Sequence, residues 1–132
     1  MLKLTRKVEY ALIALRHLRR QDENILSSSK EIAEAYGLPT QLLAKTLQQM
    51  AREGLIIPVQ GPKGGYRVTE KVADMNLSAF IELLEGPVGL MDCSIDSNCE
   101  QESLCNIRMP ITKINSSIKK VFEGMTIAEI TN

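Results

Sequence analysis

The chain of 132 residues has no tryptophan, one histidine, three cysteines and only 4% aromatic residues. A lone imidazole, His17 beside Arg16, Arg19 and Arg20, leaves no nucleophile–base pair to assemble from spacing, so an enzyme is not expected. His17 reads instead as a surface or interface side chain. No run reaches the roughly 18 apolar residues of a membrane span. Basic residues occur near the start, but charged and polar residues soon interrupt the apolar stretch, which is not the pattern of a secretory signal. Internal repeats and low-complexity tracts are also lacking. An odd number of cysteines without such a signal points to a reducing, cytoplasmic setting, where thiols serve metals or redox sensing.

Net charge is absent too, and that absence conceals a division. Residues 1–72 carry 12 Lys/Arg against 7 Asp/Glu, whereas residues 73–132 carry 4 against 9. A basic half beside an acidic half suits a protein that lays one end on a polyanion. The 44% hydrophobic content is enough for one folded core.

The basic half reads as helices followed by a hairpin. Leu4, Val8, Leu12, Leu15 and Leu18 recur at helical spacing with Ala11 filling the stripe, and Thr5 is placed to cap the first turn. "SSSKEIAEAYG" offers a capping box, Ser28 with Glu31, and Gly37 as a stop. Pro39-Thr40 then restarts a helix to about Glu53, with Leu42, Leu43, Leu47 and Met50 as its apolar face. Two short helices joined by a tight glycine-containing turn form a helix-turn-helix candidate. Gln41, Lys45, Gln48 and Gln49 on the second helix have side chains able to bond base edges or phosphates. "GLIIPVQGPKGGYRVTE" reads as strand, turn, strand, with Leu55 to Val59 and Tyr66 to Thr69 flanking "QGPKGG". Pro58 assigns its strand to an edge. A hairpin directly after a recognition-type helix is the wing of a winged helix, where Lys63 and Arg67 can add charge-assisted phosphate contacts.

The acidic half supplies a short helix, Leu77 to Glu85, stopped by Gly86-Pro87. "CSIDSNCEQESLC" follows and holds every cysteine: Cys93, Cys99 and Cys105, one at each sixth position. Three evenly spaced thiols make poor core packing and leave one unpaired as a disulfide set. Soft thiolates favour an iron–sulfur cluster, copper(I) or zinc. Structural zinc usually takes four ligands and often a C-x₂-C hook, which these wider gaps do not provide. Metal-free thiol sensing is the other reading of the same residues. Asp92, Asp96, Glu100 and Glu102 around the cysteines read as solvated loop carboxylates. "PITKINSSIKKVFEG" then forms a helix, with Pro110 in its first turn and Gly124 ending it. Ile107, Ile111, Ile114, Ile118 and Val121 alternate gaps of four and three, the seam of a short coiled coil and a candidate dimer contact.

These residues resemble a known family. "LTRKVEYALIAL", the helix-turn-helix, "GPKGGYRV" and three cysteines before a long helix are similar to the IscR/NsrR-type iron–sulfur transcription regulators, over nearly the whole chain. "LLEGPVGLMDCS" with "ESLCNIR" resembles the subgroup that regulates the SUF iron–sulfur assembly genes. The resemblance implies a mainly α fold with a small β-hairpin: a winged helix-turn-helix domain plus a long C-terminal dimerisation helix. It divides the chain into DNA-binding residues 1–80, a cluster-binding segment 81–109 and a dimerisation helix with tail, 110–132. It implies a cytoplasmic homodimer on a double-stranded DNA operator, with a [2Fe–2S] or [4Fe–4S] cluster held by Cys93, Cys99 and Cys105. Repression of iron–sulfur assembly genes is the implied role; a nitric-oxide or redox regulator on the same scaffold, or a cluster carrier not acting on DNA, are the alternatives. At the wing position often occupied by Arg stands Gln60, and three beyond the last cysteine, where some members have His, stands Arg108. In part of the family an acidic side chain from the partner's first helix completes the ligand set; alignment on "LTRKVEYA" gives that role to Glu9.

Overall fold

The computed structural model describes residues 5–22, 25–62, 64–86 and 108–132. Leu4 and Ile107, expected on the two apolar stripes, lie outside the described residues, as do Lys63, Cys93, Cys99 and Cys105.

Helix α1 (Arg6–Arg20) starts where sequence places it, because the Thr5 hydroxyl accepts the Val8 amide at 3.3 Å. Val8, Ala11, Leu15 and Leu18 are buried as the spacing demands, and Tyr10 and Ala14 join them. Leu12, expected in the stripe, is only half-buried and sits at its edge with Ile13. The small Ala11 and Ala14 let neighbouring elements approach most closely, so the buried face centres on them. Helix α2 (Ser29–Tyr36) opens at the expected Ser28–Glu31 pair: Ser28 Oγ accepts the Glu31 amide at 3.1 Å, and the Glu31 carboxylate accepts from the Ser28 hydroxyl at 3.2 Å rather than from the backbone amide of a full capping box. It closes on Gly37, whose left-handed backbone (φ 65) reverses the chain and lets the Leu38 amide reach back to the Ala33 carbonyl.

Helix α3 (Thr40–Arg52) buries Leu43, Leu47 and Met50 completely. Leu42 is a correction to the expected apolar face. It lies about 100° round the helix from Leu43 and is exposed. Thr46 takes the buried place instead, its hydroxyl satisfied by the Leu42 carbonyl at 2.8 Å.

Strands β1 (Ile56–Val59) and β2 (Gly65–Val68) form an antiparallel hairpin in which Pro58 faces Tyr66. Each is shifted one residue toward the C- and N-terminus, respectively, from the expected strand start. The Tyr66 amide donates to the Ser27 carbonyl at 2.9 Å, away from β1. Pro58 and Tyr66 are therefore a non-hydrogen-bonded pair, and the missing Pro58 N–H removes no ladder bond. The Ser27 bridge also explains Gly65: a Cβ there would stand 2.6 Å from the Ser27 carbonyl carbon.

After a short helix α4 (Glu70–Ala73), helix α5 (Leu77–Glu85) has the expected bounds, with Asn76 accepting the Ala79 amide at 2.8 Å. Phe80, Ile81 and Leu84 carry α5 into the same buried cluster that begins at Val8. Helix α6 (Arg108–Glu123) packs on α5, with Lys119 3.4 Å from the Glu82 carboxylate and Phe122 against the core. Its apolar seam is divided: Ile111 and Ile118 are half-buried, while Ile114 and Val121 are 49% and 57% exposed. The chain then returns to the core through α7 (Ile127–Ile130), whose Ile127 is fully buried. Paired backbone bonds, Leu77 N–H to Met125 O at 2.8 Å and Ile127 N–H to Met75 O at 2.9 Å, fasten this tail beside α5.

Candidate nucleic-acid interface and sensing segment

The turn from α2 into α3 is set by Gly37 and by Pro39, whose extended backbone precedes the first helical residue. Packing of α3 against α1 and α2 leaves one polar face in solvent. Gln41, Lys45 and Gln48 lie exposed on it, spaced four and three residues apart. That spacing forms one row about 10 Å long, a length that crosses several base-pair edges.

Gln49 does not join the row. It is half-buried, and its amide Nε2 donates to the carbonyls of Leu83 at 3.3 Å and Leu84 at 3.4 Å on α5. Gln49, expected among the DNA-contacting residues, thus sits apart from the exposed row: one position on from Gln48, the helix has already turned its side chain toward α5.

On the wing, Gln60 and Arg67 are exposed. The base of the hairpin is held by Thr69, whose hydroxyl donates to the carbonyls of Gly54 and Leu55 at 3.1 Å each. Its position against α1 is set by a network that the sequence did not announce. His17 Nδ1 is 2.8 Å from the Tyr36 hydroxyl, and Nε2 is 3.1 Å from Ser27 Oγ and 2.9 Å from Gln21 Nε2. Each ring nitrogen thus has a polar partner. The Tyr36 ring stands edge-on to the imidazole at 5.4 Å. One side chain thus joins α1, the end of α2 and the residue that bridges to β2. His17, expected as a surface or interface side chain, is half-buried and serves as a structural hub within the subunit.

Among the described residues, no group of three His, Cys, Asp or Glu side chains stands together as a metal site. The three cysteines lie outside them. Glu9 is exposed on α1 and borders a shallow groove of about 340 Å³ lined by Leu12, Ile13, Arg16 and Ile130. Its side chain makes no ion pair among the described residues. No helix of the described residues is long and apolar enough to cross a membrane.

A helix-turn-helix with a polar recognition row, followed at once by a hairpin tied back to the first helix, defines a winged-helix DNA-binding protein. The family pattern described as Rrf2, iron-dependent transcriptional regulator, matches residues 4–132. The chain belongs to the Rrf2 family of transcriptional regulators, which are DNA-binding proteins and not enzymes. It is 26% identical over 136 residues to an rrf2-like HTH-type transcriptional regulator of Rhodobacter capsulatus, covering 96% of this chain and 91% of that one. It superposes on IscR of T. potens with a TM-score of 0.73 and 25% identity, over 98% of this chain and 85% of the other. CymR of B. subtilis, a global cysteine regulator, gives a TM-score of 0.75 over 99% and 97% of the two chains; at 22% identity this likeness concerns the fold alone.

Proposed function

We propose that this Rrf2 regulator is a cytoplasmic homodimer that represses iron–sulfur assembly genes and senses cluster status through Cys93, Cys99 and Cys105. The observation that carries the reading is the grouping of every cysteine, at six-residue intervals, in a chain of this family. Three soft thiolates suit an iron–sulfur cluster, of [2Fe–2S] or [4Fe–4S] type, and leave one iron position to a further ligand. A bound cluster supplies a site open to oxygen, nitric oxide or iron loss. In the division of labour, residues 1–80 read DNA, 81–109 hold the cluster, and 110–132 pair two subunits through the exposed Ile114 and Val121. Pairing suits a protein that reads two half-sites one helical turn apart.

Anaerobic purification followed by absorption and Mössbauer spectroscopy tests the reading. A coloured protein with iron and sulfide bound supports it. A colourless protein whose DNA affinity follows thiol oxidation supports a redox regulator instead. Cluster transfer to acceptor proteins without salt-dependent duplex binding supports a carrier.

On DNA, we propose that Gln41, Lys45 and Gln48 enter the major groove while Gln60, Lys63 and Arg67 flank it on the wing. Lys45→Ala and Lys63→Ala should each lower the slope of log affinity against log salt by about 0.9, the loss of one phosphate contact. Gln41→Ala or Gln48→Ala should instead shift base preference, by about 1–3 kcal/mol at one position. Titrations of a selected duplex at several salt concentrations separate the two; unchanged affinity in all four variants would exclude this face from DNA.

For the open iron position we propose Glu9 of the partner subunit. Its carboxylate is exposed and without an ion pair among the described residues, so it is free to serve as a ligand. A hard carboxylate is displaced from iron more readily than thiolate. Glu9→Ala should shorten the cluster's lifetime in air by about tenfold or more, on the scale of lost metal-site contacts, whereas Glu9→Cys should lengthen it and alter the spectrum. Identical spectra and decay in both variants would leave the position to water, a small thiol or the loop.

A further inference from the structure

We infer that Gln49 is a positioning residue that couples the sensing segment to the recognition helix within one subunit. The inference rests on the cluster-sensing reading above and adds the route by which sensing reaches DNA. The last carbonyls of a helix have no partner inside it and must find donors elsewhere. In α5 those donors come from the two helices that frame the DNA-reading face. Gln49 Nε2 on α3 is shared between Leu83 O and Leu84 O, and Lys7 Nζ on α1 reaches Leu84 O at 3.2 Å. Thr5 Oγ1 donates to the Glu85 carboxylate at 2.9 Å and completes the clasp. The final turn of α5 is therefore tied to α1 by two side chains and to α3 by one.

This turn is also the attachment point of the cysteine segment. Gly86 ends α5, and Cys93 follows seven residues later. A pull on the end of α5 acts first on the Leu83 and Leu84 carbonyls, because they belong to its final turn, while Phe80 and Ile81 one turn earlier anchor the helix in the core. Gln49 meets those carbonyls at 3.3 and 3.4 Å, a divided bond that can be remade toward either oxygen. It stands next to Gln48 and four residues from Lys45 on the same helix, so any change in its seat tilts the exposed row. A ligand shifts an equilibrium only through unequal interaction with two states, and this divided bond supplies a contact that differs between them.

The test compares the full-length protein with its cluster, prepared anaerobically, and without it, after chelation. The probe is one duplex selected from a randomised pool by the wild type. The wild type should show affinities differing about 5- to 150-fold between the two forms, the usual range of coupling. In Gln49→Met, similar in size but unable to donate, the two affinities should agree within about twofold while the cluster spectrum is retained. Gln49→Lys, which can still donate to helix C-terminal carbonyls, should restore the difference. As a second measurement, amide exchange in the last turn of α3 should differ between loaded and unloaded wild type but not in the Met variant. An undiminished ratio in Gln49→Met overturns the inference. Equal weakening of both forms also overturns it and returns Gln49 to direct DNA contact. A wild type that binds DNA equally in both forms overturns the sensing reading itself, and the coupling with it.

Discussion

Replacement of Cys93, Cys99 or Cys105 by Ala, one at a time, should each yield a colourless protein that remains folded. On the proposed ligand set, loss of one thiolate leaves two soft ligands and the weaker carboxylate of Glu9, and neither Asp96 nor Glu102 is an equivalent replacement for sulfur. Folding should survive because the buried cluster from Val8 to Ile127 is assembled from other side chains. The measurement is visible absorption and iron content after anaerobic purification, alongside a thermal melt. Full occupancy in any one variant would remove that cysteine from the ligand set, and a melt collapsing in all three would show the segment to be structural.

Phe80→Ala should destabilise the chain by about 3–5 kcal/mol, the range for a buried aromatic side chain truncated without collapse of its surroundings. Phe80 is wholly buried on α5, and that helix packs on α1 and on α6. The loss would be a large part of the roughly 5–15 kcal/mol that holds a domain folded. Denaturant unfolding at fixed protein concentration measures it, since dimerisation would otherwise alter the apparent stability. A loss under about 1 kcal/mol would mean that the site refills from neighbouring side chains. By contrast, Leu42→Ala, a change of the same chemical kind on an exposed position, should stay within about 0.5 kcal/mol.

The contrast between Leu42 and Thr46 shows where local reading stops. A four-three spacing of apolar residues identifies a helix and the approximate direction of its buried face, but not the last 40° or so of rotation that packing selects. On α3, contact with α1 and α2 turned Thr46 inward and left Leu42 in water, at the cost of one hydroxyl that the Leu42 carbonyl satisfies. The divided seam of α6 has the same origin. Its isoleucines mark an apolar helix face, yet Ile111 and Ile118 are half-buried while Ile114 and Val121 stay outward.

What the sequence by itself determined was whatever depends on neighbours within about one turn of chain. Thr5 and Ser28 start helices because their hydroxyls reach amides three residues away, and Gly37 ends one because the reversal needs a left-handed backbone. The hairpin after α3 and the bounds of α5 follow from the same short-range rules. Only the tertiary structure decided the role of side chains whose partners are distant. Gln49 bonds residues 34 and 35 positions away, His17 meets Tyr36 across 19, and Arg19 reaches Ala128 and Thr131 across 109 and 112. A glutamine on a polar helix face has the same local signature whether it will meet a base or a carbonyl. The difference arises only when hydrophobic burial brings α3 and α5 together and leaves the last carbonyls of α5 in want of a donor.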